Sequence, residues 1–325
     1  MSCNIREYDS IKDDSHSELL WIEKNEYYDK FEEKSLRFQR DNLVYSIKIS
    51  CSYSERRIKI ECSGLVKLER LYLWVCEIRR FEYLFDGAFY VLLNCEVDNE
   101  DITDIIRRVE VGYFQNSKYK HEIPLPLDEK TYKNYFFKWI ILEKELGIIN
   151  QMVLYAKNIK GLPADVQISM LTECYEALAK KLERKGLITI KAEKTTYRKI
   201  KCSHINRMCI LPIKGKKTLA CCLMAILEEF GIPIFMTEYR RKKSLINHIV
   251  KTRNKVFHVN SRQKKILKGS YSGFYAIKLD WLYRYIILVL IGADRKILNE
   301  IVNKQVLDFE QQHPNLIYKI NRKSR

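Results

Sequence analysis

The sequence predicts an α+β domain at the N-terminus followed by an all-α helical bundle. Apolar and polar residues alternate with a period of two between residues 42 and 62, which is typical of paired strands. From residue 132 onward, apolar residues recur mostly at spacings of three and four, which is typical of amphipathic helices. A chain of 325 residues is long enough for two hydrophobic cores, and we place the division at 1–125 and 126–325.

The N-terminal domain is expected to contain a hairpin, a helix and further strands. The predicted elements, in order, are an irregular lead-in (1–40) with a short helix (23–37), a β-hairpin (42–51 and 57–62), a helix (65–85) and two strands (88–97 and 105–114). The helix is expected to end at Asp86 and Gly87, because an Asp-Gly pair is a common stop signal.

The C-terminal domain is expected to be helical with one inserted hairpin. A polar segment that contains Pro124 and Pro126 is the predicted linker, at 117–130. The predicted helices are 132–157, which is one helix or two helices broken near Gly147, then 166–184, 217–230, 238–259, 273–291 and 294–309. The hairpin is predicted at 186–212, and Asp294 is expected to cap the last helix.

Positive charge is concentrated in the C-terminal part of the chain. Residues 201–325 hold 25 Lys and Arg against 8 Asp and Glu, whereas residues 1–200 hold 33 of each, so the whole net charge of +17 lies after residue 200. Such a region favours a polyanionic partner, most commonly a nucleic acid, although a solvated basic surface is the alternative. The candidate RNA-binding residues are Arg240, Arg241, Lys242, Lys243, Lys255, Lys264 and Lys265.

The ten cysteines show no Cys-x-x-Cys pair and no disulfide framework, so we expect the reduced thiols of a cytoplasmic protein. Cys202, His204 and Cys209 are three potential zinc ligands in a loop-like stretch. A fourth ligand at a sensible spacing is lacking, so ordinary packing is favoured over a zinc site. We therefore expect no metal and no cofactor.

No segment of the sequence predicts a membrane location. Residues 1–14 are polar with mixed charge, so no secretory signal is expected. The most apolar run, 281–293, contains Arg284 and spans thirteen residues, whereas a bilayer requires about twenty. We expect a cytoplasmic protein without a membrane partner.

Residues 245–258 are the segment on which the functional interpretation depends. At about 100° per residue, one helix face carries Ile246, Ile249, Val250 and Phe257. Arg253 lies on the same face, where its guanidinium needs an acceptor or an anion, because an unpaired buried charge costs several kcal/mol. Asn254 and His258 are four residues apart and share a face, whereas Arg253 must reach round the helix. The alternative is a core helix whose Arg253 is paired with a buried Glu and whose His258 is structural.

Arg253, Asn254 and His258 form an Arg-Asn-x-x-x-His pattern, which resembles the Arg-X4-His signature of the HEPN superfamily. Residues 250–254 and the helical stretch after them are most similar to the ApeA-like branch, which is associated with bacterial anti-phage defence and abortive infection. The resemblance covers roughly residues 130–310 and implies a helical-bundle endoribonuclease that needs no metal. It also implies a homodimer in which two Arg-X4-His sets share one cleft.

The resemblance assigns chemical roles to these side chains. RNA cleavage without a metal needs a base for the 2′-hydroxyl, a cation for the phosphorane and an acid for the 5′-oxygen. An imidazole such as that of His258 can serve as base or acid at neutral pH, and Arg253 provides a permanent, fork-shaped donor. Asn254 is expected to orient the imidazole or to bind a phosphate oxygen.

An acidic partner for Arg253 is also implied, because ApeA-like domains carry an acidic residue near the motif on their first bundle helix. Glu173 and Glu176 both fit, although ordinary surface carboxylates are the alternative for each. HEPN toxins that pair with a nucleotidyltransferase antitoxin carry Tyr two residues after the His, where this chain has Asn260, so regulation through such a tyrosine is not expected. The competing functional interpretations are a catalytically inactive RNA-binding or scaffold protein and a DNA-binding protein.

Overall fold

The computed structural model describes residues 14–24, 32–52, 54–109, 121–159, 161–193, 196–202, 207–213, 215–258 and 266–317. The chain forms two compact units, each drawn from more than one segment. The first unit comprises 1–147, 157–161 and 287–301, and the second comprises 148–156, 162–286 and 302–325. The division of the chain between residues 125 and 126 remains a prediction.

The first unit is built on an antiparallel sheet, to which the described residues contribute six strands. In chain order these are β1 (Ser15–Lys24), β2 (Glu32–Arg40), β3 (Leu43–Cys51), β4 (Glu55–Lys67), β5 (Leu92–Val97) and β6 (Glu100–Asp101). Their spatial order is β2-β3-β4-β1-β5-β6. Strands β3 and β4 pair with Ile47 opposite Ile60, which confirms the predicted hairpin.

The predicted irregular lead-in with a helix at 23–37 is wrong for its described part, where 15–24 and 32–40 form β1 and β2. Residues 1–13 and 25–31 lie outside the described residues. Leu19, Trp21 and Glu23 are buried at alternate positions of β1, as expected for a strand that lies between two others. The sequence concealed this pattern because Glu23 is charged. In the folded protein Glu23 accepts a hydrogen bond from the buried Arg56 at 2.6 Å, which offsets the cost of its burial.

Helix α1 (Leu68–Asp86) packs on the sheet, in agreement with the helix predicted at 65–85. Leu71, Val75 and Ile78 are fully buried at spacings of three and four. The helix ends at Gly87, which adopts a φ of 68° and donates its backbone N–H to the carbonyl of Tyr83 at 2.9 Å. Glycine is favoured there because this left-handed conformation is costly for a residue with a Cβ.

The strand predicted at 88–97 is present as β5, but the strand predicted at 105–114 is wrong for its described part. Residues 103–109 form helix α2 (Thr103–Val109), whereas 110–114 lie outside the described residues. Ile102 and Ile106 are both buried, and their spacing of four fits one face of a helix. The Asp101 carboxylate accepts the backbone N–H of Thr103 at 2.8 Å and thereby helps the helix to begin.

The remainder of the chain is helical apart from one hairpin. The helices are α3 (Glu129–Leu146), α4 (Ile148–Asn158), α5 (Ala164–Arg184), α6 (Leu219–Phe230), α7 (Ile232–Phe235), α8 (Lys242–Phe257), α9 (Ser270–Leu290) and α10 (Arg295–Gln312). The predicted hairpin is formed by β7 (Thr196–Cys202) and β8 (Arg207–Ile213). Gly147, at a φ of 51°, separates α3 from α4, so the two-helix alternative is correct. Asp294 caps α10 as predicted, since its carboxylate accepts the N–H of Ile297 at 3.0 Å.

The core of the second unit lies around α5, α6, α8 and most of α9. Helix α8 packs against α5 and α6, and the Tyr175 hydroxyl of α5 donates to the Leu279 carbonyl of α9. Helix α9 is almost entirely buried, and its Lys278 and Arg284 are paired with buried carboxylates. Over the described ranges, no helix combines the length and the apolarity that crossing a membrane requires.

Candidate active site

The C-terminal turn of α8 lies at the edge of the core, so the predicted motif is partly exposed to solvent. Ile246 and Ile249 are buried as the apolar face predicts, but Val250 is half-buried and Phe257 is exposed. The buried face is completed by Leu245 and Thr252 instead. The expected core position for the Arg253 guanidinium is therefore wrong, because this side chain lies at the edge of the core with 19% of its surface exposed.

His258 lies immediately after the end of α8, and its side chain is exposed. Its backbone has a φ of −101° and a ψ of 8°, and its N–H donates to the Asn254 carbonyl at 3.2 Å. The regular helix thus ends at Phe257, one residue earlier than an ideal helix through His258 would require. This ending lets the imidazole turn toward Arg253.

Arg253 connects the three residues of the motif. Its Nη1 donates to Oδ1 of Asn254 at 2.9 Å and lies 2.9 Å from Nε2 of His258. A guanidinium has no acceptor atom, so Nε2 must be the acceptor in this contact. The contact therefore requires a neutral imidazole that carries its proton on Nδ1, which leaves Nε2 as the basic atom at the site.

Glu173, on α5, is the acidic partner of Arg253. Its Oε1 accepts a hydrogen bond from Nε of Arg253. Glu176, the other candidate, instead forms an ion pair at 2.7 Å with Lys180 one turn along α5, and this hydrogen bond raises the pKa of Lys180. Glu173 is thus placed to orient the guanidinium of Arg253, whereas Glu176 forms an ion pair within α5.

Thr252 and His248 lie on α8 near the motif and make different hydrogen bonds. The Oγ1 of Thr252 donates to the His248 carbonyl at 2.8 Å and accepts the backbone N–H of Leu267, also at 2.8 Å. Thr252 therefore attaches the backbone at Leu267 to the helix that carries Arg253. His248 makes a hydrogen bond from Nδ1 to the Ser244 carbonyl at 2.8 Å, which lies within its own helix.

Sequence reasoning missed Thr252, although a threonine at a core position beside Arg253 is a signal that could have identified it. A buried hydroxyl must find hydrogen-bond partners, and its own helix supplies only an acceptor. Cys174 lies next to Glu173, but burial raises the pKa of its thiol to about 12, so it stays protonated at neutral pH. It is therefore unsuited to act as a nucleophile.

Most of the candidate RNA-binding residues that the structure describes reach solvent. Arg240, Arg241 and Lys243 are exposed, and Lys255 is half-buried. Lys242 is half-buried because its Nζ lies 3.4 Å from Glu228 and 4.0 Å from the centre of the Tyr239 ring. The remaining two candidates, Lys264 and Lys265, lie outside the described residues, as does Asn260.

The structure does not test the predicted zinc ligands. His204 lies outside the described residues, and the side chains of Cys202 and Cys209 are not described within β7 and β8. Among the side chains that are described, no group of three His, Cys, Asp or Glu residues is placed to hold a metal ion.

The geometry brings together a permanent cation, a neutral imidazole and an amide at a solvent-exposed edge. A phosphodiester that reached Arg253 would also reach Nε2 of His258, because the two side chains already touch. Such a pair can hold a phosphate oxygen and accept a proton from a neighbouring hydroxyl.

Residues 169–297 match the family model described as Apea-like HEPN. The matched region begins within α5 and ends within α10, so it contains Glu173, Arg253 and His258. No curated protein and no solved structure matched the chain significantly. HEPN domains are generally ribonucleases, so the match indicates a nuclease-type function of a kind often related to defence. Residues 169–297 are therefore similar to the ApeA-like branch of the HEPN superfamily.

Proposed function

We propose that the protein is a metal-independent endoribonuclease that acts as a homodimer in anti-phage defence by abortive infection. The observation that carries this proposal is the 2.9 Å contact between Nη1 of Arg253 and Nε2 of the exposed His258. The proposed ribonuclease domain is 126–325, and the proposed role of 1–125 is to sense a trigger or to position the substrate.

In the proposed reaction, Nη1 of Arg253 turns from Nε2 of His258 to a phosphate oxygen, and the freed Nε2 accepts the proton of a ribose 2′-hydroxyl. The 2′-oxygen then forms a bond to the adjacent phosphorus, and the bond from phosphorus to the 5′-oxygen breaks. Arg253 donates to the non-bridging oxygens, whose negative charge grows in the transition state, while Asn254 binds one of these oxygens or holds the imidazole. The products are a 2′,3′-cyclic phosphate and a free 5′-hydroxyl.

The 5′-oxygen must take up a proton as it leaves, and this requirement is the reason for proposing a dimer. A neutral His258 that accepts the first proton cannot donate another in the same step. His258 of a second copy would supply that proton if two motifs shared one cleft and this second imidazole had left its contact with Arg253 and become protonated. Side chains then provide the base, the acid and the cation, so the proposed mechanism needs no metal ion.

Exposed basic residues support RNA as the substrate. Arg240, Arg241 and Lys243 are exposed just before and at the start of α8, and Lys255 lies in its last turn. Phosphate contacts by such side chains supply sequence-independent affinity that falls as salt rises. Lys242, Lys264 and Lys265 belong to the same proposed surface.

The test is an RNA cleavage assay on the purified full-length protein, with and without EDTA. We expect cleavage that resists EDTA and leaves 2′,3′-cyclic phosphate ends. His258→Ala and Arg253→Ala should each lower the rate about 10²–10⁴-fold, because each removes one group that acts only in the transition state. RNA affinity should stay within a few-fold of the original in His258→Ala.

A matched control is His248→Ala, which removes an imidazole from the same helix. Because His248 bonds to its own helix, this variant should retain cleavage activity. Cleavage that persists in His258→Ala would overturn the proposed mechanism. RNA binding without any cleavage by the original protein would favour the inactive RNA-binding or scaffold alternative, and preference for double-stranded DNA would favour the DNA-binding alternative.

A further inference from the structure

Phe257 is a large apolar side chain that the fold leaves exposed. It lies between Asn254 and His258 in the last turn of α8, and 45% of its surface is exposed. The apolar face of the helix predicts a buried ring at this position, yet the helix has already left the core. A large exposed aromatic ring beside polar residues is often a contact surface for a partner.

The ring lies next to the groups that are proposed to bind the scissile phosphate. The guanidinium carbon of Arg253 is 5.8 Å from the centre of the Phe257 ring, and His258 follows directly in sequence. Arg253 occupies one side of the ring, and the exposed surface remains available to another planar group. A phosphate held by Arg253 would carry its flanking nucleobases within reach of this ring.

Positive charge along α8 indicates which kind of partner fits the ring. Lys243, Asn247, Lys251 and Lys255 recur every fourth residue, so they form a row that winds round about 120° of the helix. Lys243 and Asn247 are exposed, and Lys251 and Lys255 are half-buried. We call these four residues the α8 basic stripe. Its charge complements a phosphate backbone, whereas a purely apolar partner would leave these ammonium groups without a counterpart.

We propose that Phe257 is a specificity-determining residue that stacks on a nucleobase next to the cleaved bond, while the α8 basic stripe holds the strand along the helix. This inference rests on the proposed ribonuclease function. It adds that the base beside the cleaved bond must be unpaired, because a base inside a duplex cannot present its face to a side chain.

Stacking acts on the bound substrate as well as on the transition state. The base keeps the same neighbours while the phosphorus changes its bonds, so stacking should lower KM and leave kcat nearly unchanged. This behaviour separates Phe257 from Arg253 and His258, whose loss should lower kcat.

The test pairs Phe257→Leu with RNA oligonucleotides that carry one abasic nucleotide next to the mapped cleavage site. On intact RNA, Phe257→Leu should lower kcat/KM about 5- to 100-fold, mostly through KM, which is the range for stacking one base on an aromatic ring. The abasic RNA should lower kcat/KM of the original protein by a similar factor. It should have little further effect on Phe257→Leu, because the two changes remove the same contact.

Two variants serve as controls. Phe257→Trp keeps a stacking surface and should restore most of the affinity. Phe137→Leu makes the same chemical change on α3, where Phe137 is 55% exposed, and should leave kcat/KM unchanged. Because Phe257 is exposed, its substitution should also leave thermal unfolding unchanged, which shows that the variants are folded.

Failure of this inference is distinguishable from failure of the proposed function. Equal sensitivity to the abasic site in the original protein and in Phe257→Leu would overturn the stacking role. The stacking role would also be overturned if sedimentation showed that Phe257→Leu no longer forms a dimer. The ring would then be a contact between two copies of the protein. The same comparison by fluorescence anisotropy in the His258→Ala background tests stacking through affinity alone, even if the protein cuts no RNA.

Discussion

Arg56 in the first unit and Arg253 in the second are both paired with glutamates, but their surroundings differ. The side chain of Arg56 is 2% exposed and lies among Glu23, Glu82 and Asp86, all of which are buried. Its guanidinium carbon also lies 4.8 Å from the centre of the Tyr90 ring. Every direction around Arg56 is therefore occupied by the protein.

Arg253 has fewer partners and more contact with solvent. Its side chain is 19% exposed, and that of Glu173 is 28% exposed. Its other hydrogen-bonding partners are Asn254 and the exposed His258. A partly exposed ion pair of this kind contributes about 1 kcal/mol or less to stability.

The difference shows how one type of ion pair can serve two purposes. Arg56, Glu23, Glu82 and Asp86, which we call the Arg56 cluster, are enclosed by protein. If Arg56 took a new partner, these buried carboxylates would be left without their cation. The Arg56 cluster therefore stabilises a fixed arrangement. At the edge of the core, a phosphate can approach Arg253 while water still reaches both groups. Arg253 is thus suited to bind a transient anion, and Arg56 is not.

The largest expected effect is the loss of stability in Arg56→Ala. This change removes the cation that three buried carboxylates share, although Glu23 keeps its pair with Arg79 at 3.0 Å, so we expect unfolding to become easier by about 3 kcal/mol. Hydrogen exchange of β1 and α1 should speed up accordingly, and urea should unfold the first unit at lower concentration. Arg253→Ala is the matched control and should change stability by only about 1 kcal/mol or less. Similar losses in the two variants would contradict the comparison.

Lys278→Met tests whether the loss of stability depends on enclosure of the charge or on the unit in which the residue lies. Lys278 belongs to the second unit, as Arg253 does, but it is fully buried and pairs with Glu238 at 2.8 Å and with Glu310. Methionine keeps the approximate length of the side chain and removes the charge. We expect a loss of about 3 kcal/mol, measured by urea denaturation.

A rescue variant makes this second prediction more specific. Glu238→Gln and Glu310→Gln added to Lys278→Met remove the uncompensated negative charges and should recover part of the lost stability. If Lys278→Met alone were as stable as the original protein, enclosure would not explain the contrast between Arg56 and Arg253.

The Arg56 cluster also predicts a dependence of stability on pH. Burial raises the pKa of the Asp86 carboxyl to about 7, with the Glu82 and Glu122 carboxylates acting in the same direction and Arg56 acting against them. The folded state therefore binds this proton more tightly than the unfolded state, in which the pKa is near ~3.9. The resulting contribution to stability is fully present below pH ~3.9 and is lost as pH rises through about 7.

Between pH 5.5 and 7.5 this carboxyl alone should reduce stability by roughly 2 kcal/mol. Asp86→Asn cannot ionise, so hydrogen exchange of β4 and α1 should depend less on pH in this variant than in the original protein. Asp98→Asn is a suitable control, because hydrogen bonds from Ser17 and His16 outweigh burial and lower the pKa of that carboxyl. An unchanged pH dependence in Asp86→Asn would show that Asp86 is ionised throughout this range.

The two regions also differ in how far the sequence predicts them. Arg253, Asn254 and His258 lie close together along the chain, so their spacing alone points to a shared site. The Arg56 cluster joins residues from β1, β4 and α1 that only the folded sheet brings together. Glu23 even concealed β1, because a charged residue at a core position breaks the alternation on which strand prediction relies.

Secondary structure was predictable where one face of an element is apolar and regular. The β3–β4 hairpin, α1, α5 and the end of α3 at Gly147 all follow from spacing or from glycine. Helix α2 was not predictable as a helix, because a segment this short offers too few repeats to distinguish a period of two from a period of 3.6. The choice between Glu173 and Glu176 likewise depends on which side of α5 faces α8, and the sequence of α5 alone does not determine this.

The smallest expected effect distinguishes these two glutamates. Glu173→Gln keeps an oxygen that can accept from Nε of Arg253 but removes the charge that strengthens this bond. If Glu173 positions Arg253, kcat for RNA cleavage should fall about 3- to 10-fold, since the bond is partly exposed and contributes about 1 kcal/mol. KM should not rise, because the variant also removes a negative charge that repels phosphate. Glu176→Gln breaks only the pair with Lys180 and should leave both constants unchanged. A higher kcat in Glu173→Gln would mean that Glu173 competes with the substrate for Arg253 instead of positioning it.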